Sequence, residues 1–170
     1  MPERPLAFKP IGVIHTAHTK PGETPIQPRY APACKGRVVV FEEYAAGLKD
    51  IELFSHLYLV YHLHQAGEAK LLTKPFLQDD VRGVFATRSP SRPNAIGLSL
   101  VKLTGREGNQ LHIEGADMLD GTPLLDIKPY SARFDQVENA RDGWQTDLDD
   151  TVAWERGRRG YQGEGNKEAT

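Results

Sequence analysis

His56-Leu-Tyr-Leu-Val-Tyr-His-Leu-His64 alternates without a break. Successive side chains of a strand point to opposite faces, so Leu57, Leu59, Tyr61 and Leu63 share one side. His56, Tyr58, Val60, His62 and His64 share the other. The stretch therefore reads as a half-buried strand. Its neighbours on both sides read the same way. LAFKPIGVIH (6–15) gathers β-branched residues at its end, and GRVVVFEEY (36–44) follows as a second strand. VRGVFATR (81–88), AIGLSLVKLT (95–104), 110–116 and 123–128 complete the set. Residues 45–52 form a short turn with one helical turn at most. Long helical periodicity is missing before Asp135. Short strands punctuated by Gly and Pro predict a mainly β protein, an antiparallel sheet or barrel.

Between the first two strands, Pro21, Pro25, Pro28 and Pro32 stand close together with Gly22. Prolines remove backbone donors and fix φ, so this segment is an extended loop. Residues 1–134 form the body, and 135–170 a polar tail. The tail holds Trp144 and Trp154, and VAWERGRR around Trp154 reads as helical. Two tryptophans in a hydrophilic segment imply packing on the body or on a partner subunit. The last stretch, GYQGEGNKEAT, reads as disordered. The 170 residues suffice for one core without cross-links.

The single cysteine, Cys34, excludes an internal disulfide framework and a zinc site built on thiolates. No apolar run reaches the ~20 residues of a membrane span. The start, MPERPLAFKPIG, lacks the apolar stretch of a secretory signal, which points to the cytoplasm. The net charge is −2, unevenly spread: residues 1–134 carry 16 Lys and Arg against 14 Asp and Glu, and residues 135–170 carry 5 against 9. A weakly basic body can meet a polyanion through a local patch, but the total does not demand one.

Neither a dinucleotide-binding glycine fingerprint nor a phosphate-binding loop occurs. Ser55-His56 is a neighbour pair, not a triad. His62 and His64 lie about 6.6 Å apart along one strand face, with Glu68 four residues on. This spacing resembles the first half of the cupin metal motif, which makes a metal-bound barrel enzyme one reading. A polar cleft without metal is the other. Two further segments stand out. GVFATRSPSRPNAIGLS (83–99) displays Arg88, Arg92 and Asn94 around two prolines, and a stiffened turn has less entropy to lose on binding. GADMLDGTPLLDIKPY (115–130) offers Asp117, Asp120 and Asp126 beside Gly121. Carboxylates there can receive ribose hydroxyls or a cation, or simply cap an Asp-Gly turn.

FATRSPSRPNAIGLS and DMLDGTPLLDIKPY resemble the two signatures of the TrmO (TsaA, YaeB) family of tRNA methyltransferases. KPIGVIHT, PIQPRY and FSHLYLVYHLHQ match in the same order, so the resemblance spans about residues 6–135. Ala95 stands where the family usually has proline, and His15-Thr16 where Arg-Ser is common. The tail resembles that of the shorter members.

The resemblance implies a small single-sheet antiparallel β-barrel, with S-adenosyl-L-methionine as cofactor and a homodimer as the assembly. The implied substrate is the N6-threonylcarbamoyladenosine beside the anticodon of threonine tRNA, methylated on N6. It implies cofactor contacts from Gln27, Pro28 and Arg29 in the proline loop, from His64 and Gln65, from Arg88 and Leu98, and from Glu114, Gly115, Ala116 and Asp117. Asn94 and Asp120 are the candidates for steering the N6 proton, and Arg92 and Lys128 for touching RNA. No metal is implied. A module that only binds S-adenosylmethionine, or a small-molecule methyltransferase, is the remaining alternative.

Overall fold

The computed structural model describes residues 6–160. Six strands close into one antiparallel barrel: β1 (Gly12–Thr16), β2 (Lys35–Val40), β3 (His56–His62), β6 (Ile96–Glu107), β7 (Gln110–Glu114) and β8 (Thr122–Pro129), in the order β1-β2-β7-β6-β3-β8. β4 (Leu72–Thr73) and β5 (Arg82–Gly83) pair into a separate ribbon. Two short α-helices follow, α1 (Ala132–Asp135) and α2 (Asp150–Arg158).

The alternation of residues 56–62 does what its pattern requires. Leu57 and Leu59 are fully buried, Tyr61 nearly so, and the intervening residues face outward. They join Ile14, Val38, Val101, Leu111, Ile113 and Leu124 in the barrel core. β6 continues past the expected Thr104 to Glu107, because Gly105, Arg106 and Glu107 still pair with β7.

Three expectations need correction. The first strand begins at Gly12, not Leu6: Pro10 has no N–H to give a ladder, and pairing starts where Gly12 meets Val40. β2 ends at Val40, and residues 42–48 wind into a 3-10 helix, with Glu42 and Glu43 well placed in its first turn. VRGVFATR is not a strand. Only Arg82 and Gly83 pair, and Val84–Ala86 turn as a 3-10 helix that Thr87 closes, its Oγ1 donating to the Val84 carbonyl at 2.9 Å. GYQGEGNKEAT lies outside the described residues apart from Gly160.

The registers have one consequence for function. At one end of the barrel β1 finishes beside the start of β2, β7 finishes beside Lys35, β3 finishes at His62 opposite Ile96, and β8 begins opposite Ile14. The connections 17–34, 63–95 and 115–121 therefore all leave from that same end. They contain the proline loop, the arginine turn and the start of the aspartate segment.

Candidate cofactor site at one end of the barrel

The proline loop and the arginine turn meet directly. Arg88 Nη1 donates to Gln27 Oε1 at 2.5 Å. Gln27 precedes a 3-10 turn over Pro28–Tyr30 that lies against β6. The third connection closes in from the other side. Gly115 adopts φ +82°, a conformation that glycine takes without strain, and Pro28 Cβ lies 3.3 Å from where a side chain would begin. The amides of Gly115 and Ala116 both donate to the Cys34 carbonyl, at 2.9 and 3.0 Å. Those two N–H groups are committed to holding the loop rather than to a ligand.

Asp117 follows at once and is buried at 8% exposure. Its Oδ1 accepts from Ser99 Oγ at 2.6 Å, and Ser99 Oγ lies 2.9 Å from the Tyr61 hydroxyl. Burial pushes the Asp117 carboxyl up to about 7, against the opposing pull of the Ser99 hydroxyl, its own backbone amide and the charge of Arg88. Burial also raises Tyr61, so its hydroxyl keeps its proton across the physiological range. Ser99 and Tyr61 were not singled out in the sequence. The available signal was Ser99 itself, a hydroxyl on the inward face of an otherwise apolar strand.

A second cluster supports the same loop. His18 Nε2 lies 3.1 Å from both the Ala116 carbonyl and Cys34 Sγ. Burial lowers the His18 pKa against the opposing bond to Ala116, which favours the neutral ring. Asp120 sits at the exit of the loop. Its Oδ1 accepts from the Thr16 amide at 3.1 Å and lies 3.1 Å from His15 Nδ1. Desolvation opposes ionisation of Asp120, but the Thr16 amide and His15 outweigh it and hold its pKa below the ordinary value.

The other expected residues are distributed as follows. Leu98 is exposed on the outer face of β6, between Ile96 and Leu100. Glu114 ends β7 and bonds Lys102 at 3.1 Å. His64 Nδ1 lies 3.4 Å from Thr122 Oγ1, with Gln65 beside it. Arg29 is exposed and pairs with Asp150 at 3.7 Å. Asn94 is exposed at the foot of β6, its carbonyl accepting from the Ile96 amide. Arg92 Nη1 reaches the Thr87 carbonyl at 3.4 Å, across its own turn.

Lys128 is not brought to the loops. It pairs with Asp126 at 2.9 Å near the far end of β8, opposite Tyr58. The histidine face does not act as one wall either. His56 lies at the opposite end of β3, edge-on to Tyr130, while His62 is exposed and His64 turns to Thr122. Among the described residues no three His, Cys, Asp or Glu side chains gather into a metal-holding group.

The Arg88 guanidinium offers donors to a carboxylate, the exposed Leu98 side chain offers apolar surface, and the buried Asp117 carboxyl can meet hydroxyls or an amine.

Comparison with known proteins identifies the family. Residues 13–136 match the tRNA-methyltransferase O N-terminal domain. A probable S-adenosyl-L-methionine-binding protein of Pyrococcus abyssi is 52% identical over 139 residues, covering 82% of this chain and 76% of that one. The human tRNA (adenine(37)-N6)-methyltransferase is 40% identical over 141 residues, 79% of this chain but only 32% of the human protein. The crystal structure of TrmO from Pseudomonas aeruginosa superposes with a TM-score of 0.68 at 37% identity, covering 83% of this chain and 63% of the other. Several relatives are therefore much longer than this chain. With most of its length inside the family domain, and with the barrel that the solved members share, the chain belongs to the tRNA-methyltransferase O family.

Proposed function

We propose that the protein is an S-adenosylmethionine-dependent tRNA methyltransferase acting on an adenine N6, and specifically on N6-threonylcarbamoyladenosine beside the anticodon of threonine tRNA. The observation that carries this reading is the convergence of the arginine turn, the aspartate segment and the proline loop at one barrel end, with the Arg88–Gln27 bond joining two of them and Asp117 buried beside them. The family names of similar proteins supply the substrate class.

When bound, the cofactor supplies an activated methyl carbon, so the protein has mainly to position and to exclude water. Arg88 and Gln27 hold the amino-acid end, Pro28 and Leu98 pack on apolar surface, and Asp117 orients a hydroxyl or amine. His64, Gln65 and the 114–116 backbone complete the enclosure. An N6 nitrogen conjugated to a carbamoyl group is a poor nucleophile, and its proton has to leave. Asp120 is the candidate acceptor through Oδ2, since Oδ1 faces Thr16 and His15. Its lowered pKa makes it a weak base, so its contribution is orientation of the N–H as much as proton removal. Asn94 can orient the same N–H by hydrogen bonding. Arg92 serves as a phosphate contact, and Lys128 reaches RNA only if the tRNA runs along the barrel wall.

The working form is a cytoplasmic homodimer. Ile96 and Leu100, exposed on β6 to either side of Leu98, offer apolar surface that a second copy can cover. Among the described residues no helix is long and apolar enough to cross a membrane.

The deciding experiment is methyl transfer to threonine tRNA prepared with and without the threonylcarbamoyl group. Label on the modified tRNA alone supports the reading. Label on neither, with cofactor bound, leaves a binding module. Label on both overturns the assigned substrate.

A further inference from the structure

The chain beyond residue 136, outside the matched family domain, crosses both loops of the candidate site. The Trp144 indole N–H donates to the Ala86 carbonyl at 2.7 Å, two residues before Arg88. The Ile26 amide donates to the Gly157 carbonyl at 2.9 Å, immediately before Gln27. Between these two pins, Tyr30 of the proline loop, Leu77 of the long connection and Ala153 of α2 form a small second core, with Ile26, Trp144 and Leu148 packed against it.

The fit is close. A Cβ on Gly157 would come within 2.5 Å of the Tyr30 ring, so α2 lies flush on that ring only because the residue is glycine. Trp154 meets Tyr30 edge-on at 6.0 Å, and Arg159 stacks over Phe76 at 4.2 Å. The helix is specified locally as well: Asp149 caps it by accepting from the Val152 amide at 3.0 Å.

The proline loop has no strand ladder of its own, and the other loop has near its pin only the short β4–β5 ribbon, which ends at Gly83. The proline loop carries short 3-10 turns at Pro21–Glu23 and Pro28–Tyr30, and the other loop turns as a 3-10 helix at Val84–Ala86. Gln27 and Arg88 sit on separate loops, and their bond needs both loops in place at once.

We propose that residues 143–159 are a positioning strap that fixes Gln27 against Arg88 and so preorganises the cofactor site. Trp144, Tyr30 and Gly157 are its positioning residues. They act through the two loops and touch no reacting atom. The proposal rests on the reading of Gln27 and Arg88 as cofactor contacts, but the strap itself can be tested without cofactor.

The test uses the full chain with Gly157→Leu, with Trp144→Phe, and with the exposed Glu155→Gln as control. Amide exchange at Ile26 reports the strap directly, exchange at residues 27–30 and 87–92 reports the loops, and calorimetry gives the Kd for S-adenosylmethionine. Gly157→Leu is expected to deprotect Ile26 and speed exchange in both loops while the barrel amides stay protected. If the competent arrangement falls to about one tenth of the population, Kd rises about tenfold. Trp144→Phe keeps an aromatic side chain but loses the indole N–H and its hydrogen bond, for a rise of about fivefold. Glu155→Gln leaves both readouts as in the wild type.

Deprotected Ile26 with unchanged loop exchange and unchanged Kd overturns the proposal. So does an Ile26 amide that stays protected in Gly157→Leu, because the contact is then not the one described. Wild-type protein that fails to bind S-adenosylmethionine overturns the cofactor reading instead, and the exchange data alone then decide whether the strap orders the loops.

Discussion

Replacing Asp117 by Asn should abolish a pH dependence that the wild type carries in its fold. The Asp117 carboxyl has an ordinary value of 3.8 and is pushed up to about 7 by burial. The folded protein therefore holds this proton more tightly than the unfolded chain does. Between those two values the unfolded state binds fewer protons, so stability falls as pH rises. The stability present below the ordinary value is lost through the folded value, and the loss levels off above it. One pKa unit corresponds to about 1.4 kcal/mol, so the raised value sets an upper bound of about 4 kcal/mol.

Asn keeps an oxygen to accept from Ser99 Oγ, as Asp117 Oδ1 does at 2.6 Å, but cannot ionise. Urea unfolding of wild type and Asp117→Asn across a pH series between about 4 and about 8 reads the difference. At the acid end the two are similar. Towards the alkaline end the variant gains on the wild type by a few kcal/mol. Curves that stay parallel throughout would refute the claim that a buried, perturbed carboxyl sits behind the site.

Arg88→Ala removes the charge-assisted bond to Gln27 and the donors assigned to the cofactor carboxylate; a loss of about 1.5–3 kcal/mol predicts about ten- to hundredfold weaker S-adenosylmethionine binding by calorimetry, with little change in Tm. Arg92→Ala should lower the salt-dependence slope of tRNA binding by about one unit if the side chain leaves the Thr87 carbonyl for phosphate. An unchanged slope would confine Arg92 to bracing its own turn. Asp120→Ala should slow single-turnover methylation while leaving cofactor Kd intact; an unaffected rate would end its assignment to the N6 proton.

What the sequence made legible follows physical lines. The alternation at 56–62 identified the inward face correctly, because a closed barrel buries one side of every strand. The proline loop and the arginine turn were legible as loops through their prolines, and the aspartate segment as a turn through Asp120-Gly121. Where prediction failed, a local rival won. In VRGVFATR only Arg82 and Gly83 pair, and Val84–Ala86 turn as a 3-10 helix that the Thr87 hydroxyl closes on the Val84 carbonyl, a bond that strand propensity does not register. The expected strand runs on through Phe41 to Tyr44, but there the Tyr44 amide donates to the Phe41 carbonyl at 2.9 Å and the chain winds into the 3-10 helix over Glu42–Leu48.

The site was legible in part. Asp117 stood out as a carboxylate beside a turn. Its burial could not be read, because Ser99 and Tyr61 come to it from distant points in the chain, across β6 and β3. Trp144 and Trp154 announced packing without naming Ala86 and Tyr30 as partners. The alternation put His56, His62 and His64 on one strand face, but His56 lies at the end of β3 opposite the loops, while His64 turns to Thr122.

The most direct test of the whole account is a crystal structure of this chain with S-adenosylmethionine. The account predicts the nucleoside at the loop-bearing end of the barrel, its carboxylate on Arg88 and Gln27 and its remainder between Leu98 and Asp117. A ligand bound anywhere else, or none at saturating concentration, would contradict it.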